Sequence, residues 1–217
     1  MSKQGRCHAF RNCDSDRFVS DDSGSRTCAR GAAGAGGDNY SPSAVVLMCA
    51  ESMPDPHLIF GQLQGTIAVV RNMANILPLA GLQPDSIDTG SVEYPVINQG
   101  ARLIIVLGHT NCQVMQKVVA KWNEIKGKVA PIPGPGNQIP PANLGAIYQV
   151  LYPAVTKANK DSEVDLLGAS IRNNVANTVA GLEGDTFVFS KLVQSGELLI
   201  VGAVYDPETR KVELLDK

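Results

Sequence analysis

Two cysteines and a histidine stand where this chain could bind a metal ion. Cys49 ends the apolar run AVVLMC, His109 ends the run LIIVLGH, and Cys112 follows His109 by three residues. Thiolates and a neutral imidazole are ordinary ligands of Zn²⁺ in proteins. A single buried cysteine or histidine is more often part of the core, so the combination at two strand ends is what predicts a metal site.

The elements that must position these residues alternate along the chain. Short uninterrupted apolar runs, typical of strands buried on both faces, occur at 44–49, 66–71, 102–107 and 198–205. Helical segments are predicted at 88–99, 111–126, 143–158, 163–182 and from Asp185 to near Gly196. This alternation predicts an α/β fold, a parallel-sheet core with helices on both faces.

The predicted sheet explains why the three residues should meet. In open α/β sheets, functional sites collect beyond the carboxyl ends of the strands. Cys49 and His109 each end a predicted strand, and Cys112 lies one short turn beyond His109. We therefore expect two thiols and an imidazole to converge at one edge of the sheet.

Length and composition narrow the class of protein. The chain has 217 residues, of which 44% are hydrophobic and 18% charged, and its formal net charge is -2. This length predicts one domain with a core of its own. No run of Lys and Arg indicates a nucleic-acid partner, and no apolar stretch is long enough to predict a membrane-spanning helix.

A polar N-terminal segment, residues 1–43, precedes the predicted α/β domain at 44–217. We expect this segment to be a flexible arm, or a short helix and a loop, that packs against another surface or a partner subunit. Its GAAGAGG string at 31–37 resembles a phosphate-binding loop, but no strand precedes it. Phosphate binding by this string is therefore not expected.

The number and spacing of the cysteines indicate the redox state of the compartment in which we expect the protein. Five cysteines are an odd number, and Cys7, Cys13 and Cys28 have no ligand partners at metal-binding spacing, so we expect them to be free thiols. No secretory signal is recognisable in the sequence. A reducing cytoplasm is the expected location, with an organelle stroma left open.

A longer series of ordered motifs resembles the β-class carbonic anhydrases. The family places Cys-x-Asp-Ser-Arg after its first strand and, further on, Val-Val-Arg-Asn-x-x-Asn, Ser-x-Glu-Tyr and Gly-His-Ser-x-Cys-Gly. The segments of this chain that resemble the family are Cys49–Met53, Pro56–Phe60, Val69–Asn75, Ser91–Tyr94 and Gly108–Gln113. The match covers nearly the whole chain, and even Arg17–Ser20 resembles the family's N-terminal helix segment.

This resemblance implies a zinc enzyme that interconverts CO₂ and bicarbonate. Cys49, His109 and Cys112 would hold the Zn²⁺ and leave a fourth position for chemistry. A bound cation of this kind lowers the pKa of its water enough to supply hydroxide near neutral pH. The resemblance also implies active sites at a subunit interface, and hence a homodimer or a higher assembly of dimers.

The chain departs from the family beside the metal ligands. Glu51 replaces the Asp of the Cys-x-Asp-Ser-Arg motif, and Met53 replaces the Arg that pairs with it in the family. Met offers no donor to hold the carboxylate away from the metal, so we expect Glu51 to become a fourth ligand. The alternatives are that Glu51 orients the metal's water or swings into solvent. Ligation, or a swing into solvent, would weaken CO₂ hydration.

Further departures lie where the resemblance places the substrate pocket. We assign to that pocket Tyr40, Met53, Phe60, Tyr94 and Gln113. The usual Gly of the Arg-Asn-x-Gly-Asn stretch is Ala74, which we expect to forbid a positive φ. His57 could shuttle protons, but a solvated surface histidine is the interpretation we favour.

Three functions therefore stay open from the sequence. The first is reversible CO₂ hydration, with activity weakened or lost through the changes at Glu51 and Met53. The second is hydrolysis of a CO₂-like molecule, carbonyl sulfide or carbon disulfide, in the altered pocket. The third is a non-catalytic assembly subunit in which the zinc is structural.

Overall fold

The computed structural model describes residues 18–20, 26–28, 40–51, 53–78, 86–125, 142–161, 164–184 and 187–216. Seven strands lie in these ranges: β1 Phe18–Ser20, β2 Arg26–Cys28, β3 Ala44–Cys49, β4 Ile67–Asn72, β5 Leu103–His109, β6 Leu199–Asp206 and β7 Lys211–Leu214. Six helices accompany them: α1 Pro56–Phe60, α2 Ile87–Gln99, α3 Gln113–Ile125, α4 Ala142–Lys160, α5 Leu166–Gly184 and α6 Phe187–Gln194.

Five of the strands form one sheet in the order β4-β3-β5-β6-β7. The first four are parallel, and β7 pairs with β6 in the antiparallel direction. The α/β class with a parallel-sheet core is therefore confirmed, and each of the four predicted parallel strands lies within two residues of its expected bounds. The antiparallel edge strand β7 was not predicted.

The two faces of the sheet belong to different apolar clusters because side chains alternate along each strand. Val45, Leu47 and Cys49 of β3 face the main core, which α2 to α6 cover. Val46 and Met48 face a smaller cluster on the other side, where the packed residues include Ile59 and Phe60 of α1. The longer helices thus bury the face from which Cys49 projects.

A close approach between α5 and the sheet sets the distance between this helix and the strands that it covers. A Cβ added at Gly108 would lie 2.7 Å from a methyl group of Val175, and one added at Gly202 would lie 2.8 Å from the other methyl group. These glycines on β5 and β6 let α5 pack directly on the strands. Gly108 immediately precedes His109, so the close approach also fixes the end of β5.

The N-terminal prediction needs one correction. Phe18–Ser20 pairs with Arg26–Cys28 as a two-stranded antiparallel sheet, so a helix at this segment is wrong. Val19 and Thr27 are β-branched and sit opposite each other in the register, a pairing that favours strands. The described residues do not include 1–17, 21–25 and 29–39 of the predicted arm, where GAAGAGG, Cys7 and Cys13 lie, or the 131–141 loop.

Within the described residues, none of the helices combines the length and the apolar character needed to cross a bilayer.

Candidate metal centre

Cys49 and His109 lie beside each other because β3 and β5 are adjacent parallel strands, with Met48 opposite Leu107 in the register. One ligand atom from each of Cys49, Glu51, His109 and Cys112 lies within 4.8 Å of the others. Three of these residues are buried, and the Glu51 side chain is only 17% exposed. The structure thus brings together the three predicted ligands and the carboxylate that follows the first of them.

The Cys49 sulfur accepts hydrogen bonds from the main chain. It accepts the backbone N–H of Ala74 at 3.3 Å and that of Glu51 at 3.5 Å. A hydrogen bond from Cys112, the neighbouring His109 imidazole and these amides lower the pKa of Cys49 to about 4, although its burial acts in the opposite direction. Cys49 is therefore the thiolate of the metal-free site.

Cys112 has the complementary role. Its hydrogen bond to Cys49 and its burial both raise the pKa of Cys112, which favours the protonated thiol. A metal ion that takes both sulfurs must therefore displace a proton from Cys112.

His109 is oriented by its own neighbour in the chain. Its Nδ1 lies 2.9 Å from the Thr110 carbonyl oxygen, which can only accept, so Nδ1 carries a hydrogen. Burial lowers the pKa of His109, but the neighbouring Cys49 thiolate outweighs that effect and raises it. Nε2 is buried without a hydrogen-bond partner and faces the sulfurs and the carboxylate, 3.3 Å from Glu51 Oε2.

The Thr110 side chain extends this arrangement to the β6–β7 turn. Thr110 Oγ1 donates to Asp206 Oδ1 at 3.3 Å, and its backbone N–H donates to the Tyr205 carbonyl. Asp206 in turn accepts from Thr209 and from the Glu208 amide. The carbonyl that orients His109 is thus held by the next strand of the sheet.

A tight turn at Met73–Asn75 delivers the Ala74 amide to Cys49. Asn72 clamps this turn, since its side chain donates to the Ile76 carbonyl at 2.6 Å and accepts the Ile76 amide at 3.0 Å. Asn174 of α5 donates to the Ala74 carbonyl at 2.9 Å. The turn is therefore fixed from both sides.

The expectation for Ala74 was wrong. Its φ of 64° and ψ of 24° are left-handed, the conformation that we expected an alanine to forbid. An L-residue pays roughly 1 kcal/mol for this conformation. The bonds from the Ala74 amide to Cys49 and from Asn174 to the Ala74 carbonyl compensate for it, so the turn keeps its shape without glycine.

The residues present fit a zinc ion. Two sulfurs, one imidazole nitrogen and one carboxylate oxygen are all ordinary ligands of Zn²⁺, and four ligands complete a tetrahedron. The unpartnered Nε2 of His109 is a second argument, because a buried polar atom without a hydrogen bond is rare unless it has another partner. Within the described residues, this is the one group of side chains placed to hold a metal ion.

The residues assigned to a substrate pocket are less concentrated. Gln113 begins α3 beside Glu51, with its side chain exposed. The Tyr40 hydroxyl donates to the Ile67 carbonyl at the amino end of β4, five residues and about 16 Å along the strand from the Cys49 level. Tyr94 is exposed on α2.

The other two pocket residues pack on the far side of the sheet. Met53 is 9% exposed and belongs to the smaller cluster, with Met48 and Tyr205 among its members. Phe60 packs partly buried against the same cluster. A pocket role for all five residues stays a prediction.

His57 differs from the expectation of a surface residue. It is 7% exposed, and its Nδ1 lies 2.6 Å from Asp55 Oδ1. Asp55 also accepts the His57 backbone N–H and so caps α1. The proline-rich turn therefore folds its histidine inward against the cap.

Sequence reasoning gave no supporting role to Asn174, Thr110 or Asp206. Asn174 bonds the turn whose Ala74 amide donates to Cys49, and Thr110 and Asp206 bond to each other beside His109. The available signal was position: Thr110 and Asp206 end neighbouring strands, and Asn174 is polar on the buried side of α5. A buried polar residue near a strand end was the feature to look for.

Known proteins resemble this chain over most of its length. The family model of carbonic anhydrase matches residues 44–212. A carbonic anhydrase of Pseudomonas aeruginosa is 30% identical over 180 residues, which cover 81% of this chain and 74% of that protein. Carbonic anhydrase 2 of Mycobacterium tuberculosis is 28% identical over 177 residues, which cover 81% of this chain and 75% of that protein.

Solved structures show the same fold. The β-carbonic anhydrase CcaA matches with a TM-score of 0.64 and 24% identity, over 81% of this chain and 74% of that one. A structure from a study of two tetrameric β-carbonic anhydrases of Sordaria macrospora matches with a TM-score of 0.61 and 20% identity, over 82% of each chain.

Proposed function

We propose a function for this chain from the fact that it belongs to the β-class carbonic anhydrase family. It binds one Zn²⁺ through Cys49, His109 and Cys112 and interconverts CO₂ and bicarbonate, at a rate that Glu51 keeps low. The observation that supports this most strongly is the convergence of four ligand atoms within 4.8 Å at the edge of the sheet.

The ligands have distinct tasks in this proposal. Cys49 offers a thiolate already formed, and Cys112 loses its proton when the metal binds. His109 presents Nε2 because Nδ1 is bonded to the Thr110 carbonyl. When bound, Zn²⁺ acts as a Lewis acid that makes water acidic enough to serve as a nucleophile near neutral pH.

Glu51 is the reason to expect slow turnover. Its Oε2 lies 3.3 Å from His109 Nε2, and its Oε1 lies 3.8 Å from Cys112 Sγ. A carboxylate at this place competes with water for the fourth position of the metal. Three protein ligands with an open position are typical of catalytic zinc, and four are typical of structural zinc.

Metal analysis and CO₂ kinetics test the proposal together. The purified chain should carry about one zinc per subunit, and stopped-flow CO₂ hydration should exceed that of a metal-stripped sample. Cys49→Ser, which replaces a thiolate by a poor ligand, is the matched control and should lose both zinc and rate. A zinc-loaded chain no faster than the stripped one would refute the activity.

A second candidate function is a zinc protein without catalysis. The observation that favours it is the binding of both Glu51 oxygens by backbone amides, at 3.0 and 2.9 Å, which holds the carboxylate at the site. The double variant Glu51→Asp with Met53→Arg discriminates the two. A rise in CO₂ hydration would show that the changed pair limits a working site, whereas no rise from a folded, zinc-loaded variant would favour the non-catalytic function.

We also propose that the chain assembles as a homodimer or a higher assembly of dimers in a reducing cytoplasm. Ile87, Tyr94 and Ile97 are 88%, 59% and 52% exposed, and they lie on one side of α2. An apolar helix face of this kind is typical of a subunit contact. Light scattering should give at least twice the monomer mass of 23.0 kDa. Ile97→Lys should reduce the mass, and a monomeric parent chain would refute the assembly.

A further inference from the structure

We propose that the first turn of α3 holds Glu51 at the metal centre, in place of the side-chain cation that position 53 lacks. This inference rests on the proposed zinc site. Gln113 N donates to Glu51 Oε2 at 3.0 Å, and Val114 N donates to Glu51 Oε1 at 2.9 Å. Both carboxylate oxygens are thus bound by the main chain of one helix.

The amides of this turn are all accounted for. A helix begins with four N–H groups that have no partner within it. In α3, those of Gln113 and Val114 bind Glu51, that of Met115 binds the Cys112 sulfur, and that of Gln116 binds the Cys112 carbonyl at 2.9 Å. Glu51, two residues beyond the end of β3, therefore caps the start of α3. The positive end of the helix dipole favours a carboxylate at this position.

The cap also places the carboxylate toward the metal ligands. Glu51 Oε2 lies 3.3 Å from the unpartnered Nε2 of His109, and that imidazole is only 6% exposed. A carboxylate oxygen that accepts one hydrogen bond keeps another lone pair. Glu51 can therefore ligate a metal ion without leaving the helix.

Position 53 does not compete for Glu51. The Met53 side chain is buried in the smaller apolar cluster, while Cys49 projects into the main core. The Arg71 side chain donates to the carbonyls of Met53 and Pro54, at 3.5 and 3.2 Å. Among the described residues, the α3 amides are the groups that hold the Glu51 carboxylate, together with His109 and Cys112 at the metal centre.

The substitution Gln113→Pro tests this arrangement directly. It removes the Gln113 N–H, and proline is well tolerated at the first residue of a helix. Gln113→Ala keeps the N–H and is the matched control. The readouts are Co²⁺ affinity of the full chain by chelator competition and the response of the visible Co²⁺ spectrum to added azide.

The expected results separate the variants clearly. The parent and Gln113→Ala should bind Co²⁺ equally, with spectra that azide does not change, because Glu51 occupies the fourth position. Gln113→Pro should bind Co²⁺ about tenfold more weakly and respond to azide, and Glu51→Ala should respond at the lowest azide concentration. A parent spectrum that responds to azide, or equal behaviour of the proline and alanine variants, would overturn the inference.

A metal-free measurement keeps the inference testable if the proline variant does not fold or no metal binds. Hydrogen exchange of the Gln113 and Val114 amides should be at least tenfold faster in Glu51→Ala than in the parent, because their acceptor is gone. Equal exchange rates would overturn the cap. Slow exchange in a parent chain that binds neither Zn²⁺ nor Co²⁺ would instead refute the proposed function and leave the cap intact.

Discussion

His109 and His57 have similar local surroundings and different prospects as metal ligands. Both are buried, with 6% and 7% exposure, and in both Nδ1 has an oxygen partner while Nε2 has no hydrogen-bond partner. His109 meets two sulfurs and a carboxylate at its Nε2 side. His57 meets the Asp55 carboxylate at its Nδ1 side, and no metal-binding group of described residues includes it.

The difference comes from the neighbouring chain segments. His109 ends a strand whose parallel neighbour ends at Cys49, so the sheet register brings their side chains together. His57 lies on α1, a helix of five residues whose cap is its own partner. Burial and residue type therefore do not identify a metal ligand, and the alignment of adjacent strand ends does.

Removing each imidazole gives the largest expected contrast. His109→Ala should lower zinc affinity by more than about 100-fold, because it removes one protein ligand. His57→Ala should leave the zinc content near one per subunit. Metal analysis after dialysis against a weak chelator measures both, and zinc loss from the His57 variant would break the comparison.

Metal removal should separate the same two variants by stability. Zinc bound a thousandfold above its dissociation constant stabilises the fold by about 4 kcal/mol, which corresponds to about 10 °C in Tm for a chain of this size. A strong chelator should therefore lower Tm in the parent and in His57→Ala, and should change nothing in His109→Ala. Equal shifts in all three would mean that the metal binds elsewhere.

The contact between Asp55 and His57 can be tested without a metal ion. Burial raises the pKa of Asp55, but hydrogen bonds from the His57 amide and ring outweigh it and lower that pKa below its usual 3.8. A carboxylate with a depressed pKa stabilises the fold above about pH 4, and this contribution disappears as the pH falls through the folded-state value.

Urea unfolding at pH 5 and pH 3 measures this effect. Asp55→Asn should be less stable than the parent by roughly 1 kcal/mol at pH 5, and the difference should be smaller at pH 3. Zinc content at neutral pH should not change. A difference as large at pH 3 as at pH 5 would show that the Asp55 charge is not its origin.

The smallest expected effect concerns the turn beneath Cys49. Ala74→Gly relieves a left-handed alanine, and this gain is partly offset by the greater freedom of glycine in the unfolded chain. Stability should rise by about 0.5 kcal/mol without loss of zinc, since the amide that bonds Cys49 remains. Thermal unfolding of the metal-free chain measures this gain, and a fall in Tm would show that Ala74 is not strained.

Much of this site could be predicted because it depends on strand ends. The runs that end at Cys49 and His109 are continuous and apolar, and their parallel pairing follows from alternation with helices. Cys112 is tied to His109 by a three-residue spacing. These features are local in sequence, so the meeting of two thiols and an imidazole needed only the general rules of α/β folds.

The sequence pattern did not predict features that depend on contacts between distant segments of the chain. The inward turn of His57, the packing of Met53 on the far face and the antiparallel β7 were not evident from residue type. The left-handed Ala74 is held by bonds to Cys49 and to Asn174, which lies one hundred residues later in the chain. Propensity rules describe a residue alone and cannot include such a partner.

The sequence by itself determined which donors lie at one edge of the sheet, because Cys49 and His109 end apolar runs and the carboxyl ends of parallel strands share an edge. Only the tertiary structure decided what the Glu51 carboxylate does, because its partners are two main-chain amides that every residue possesses. Backbone N–H groups leave no mark in the sequence. They become a specific partner when a helix begins at the right distance from a strand, as α3 does beside β3.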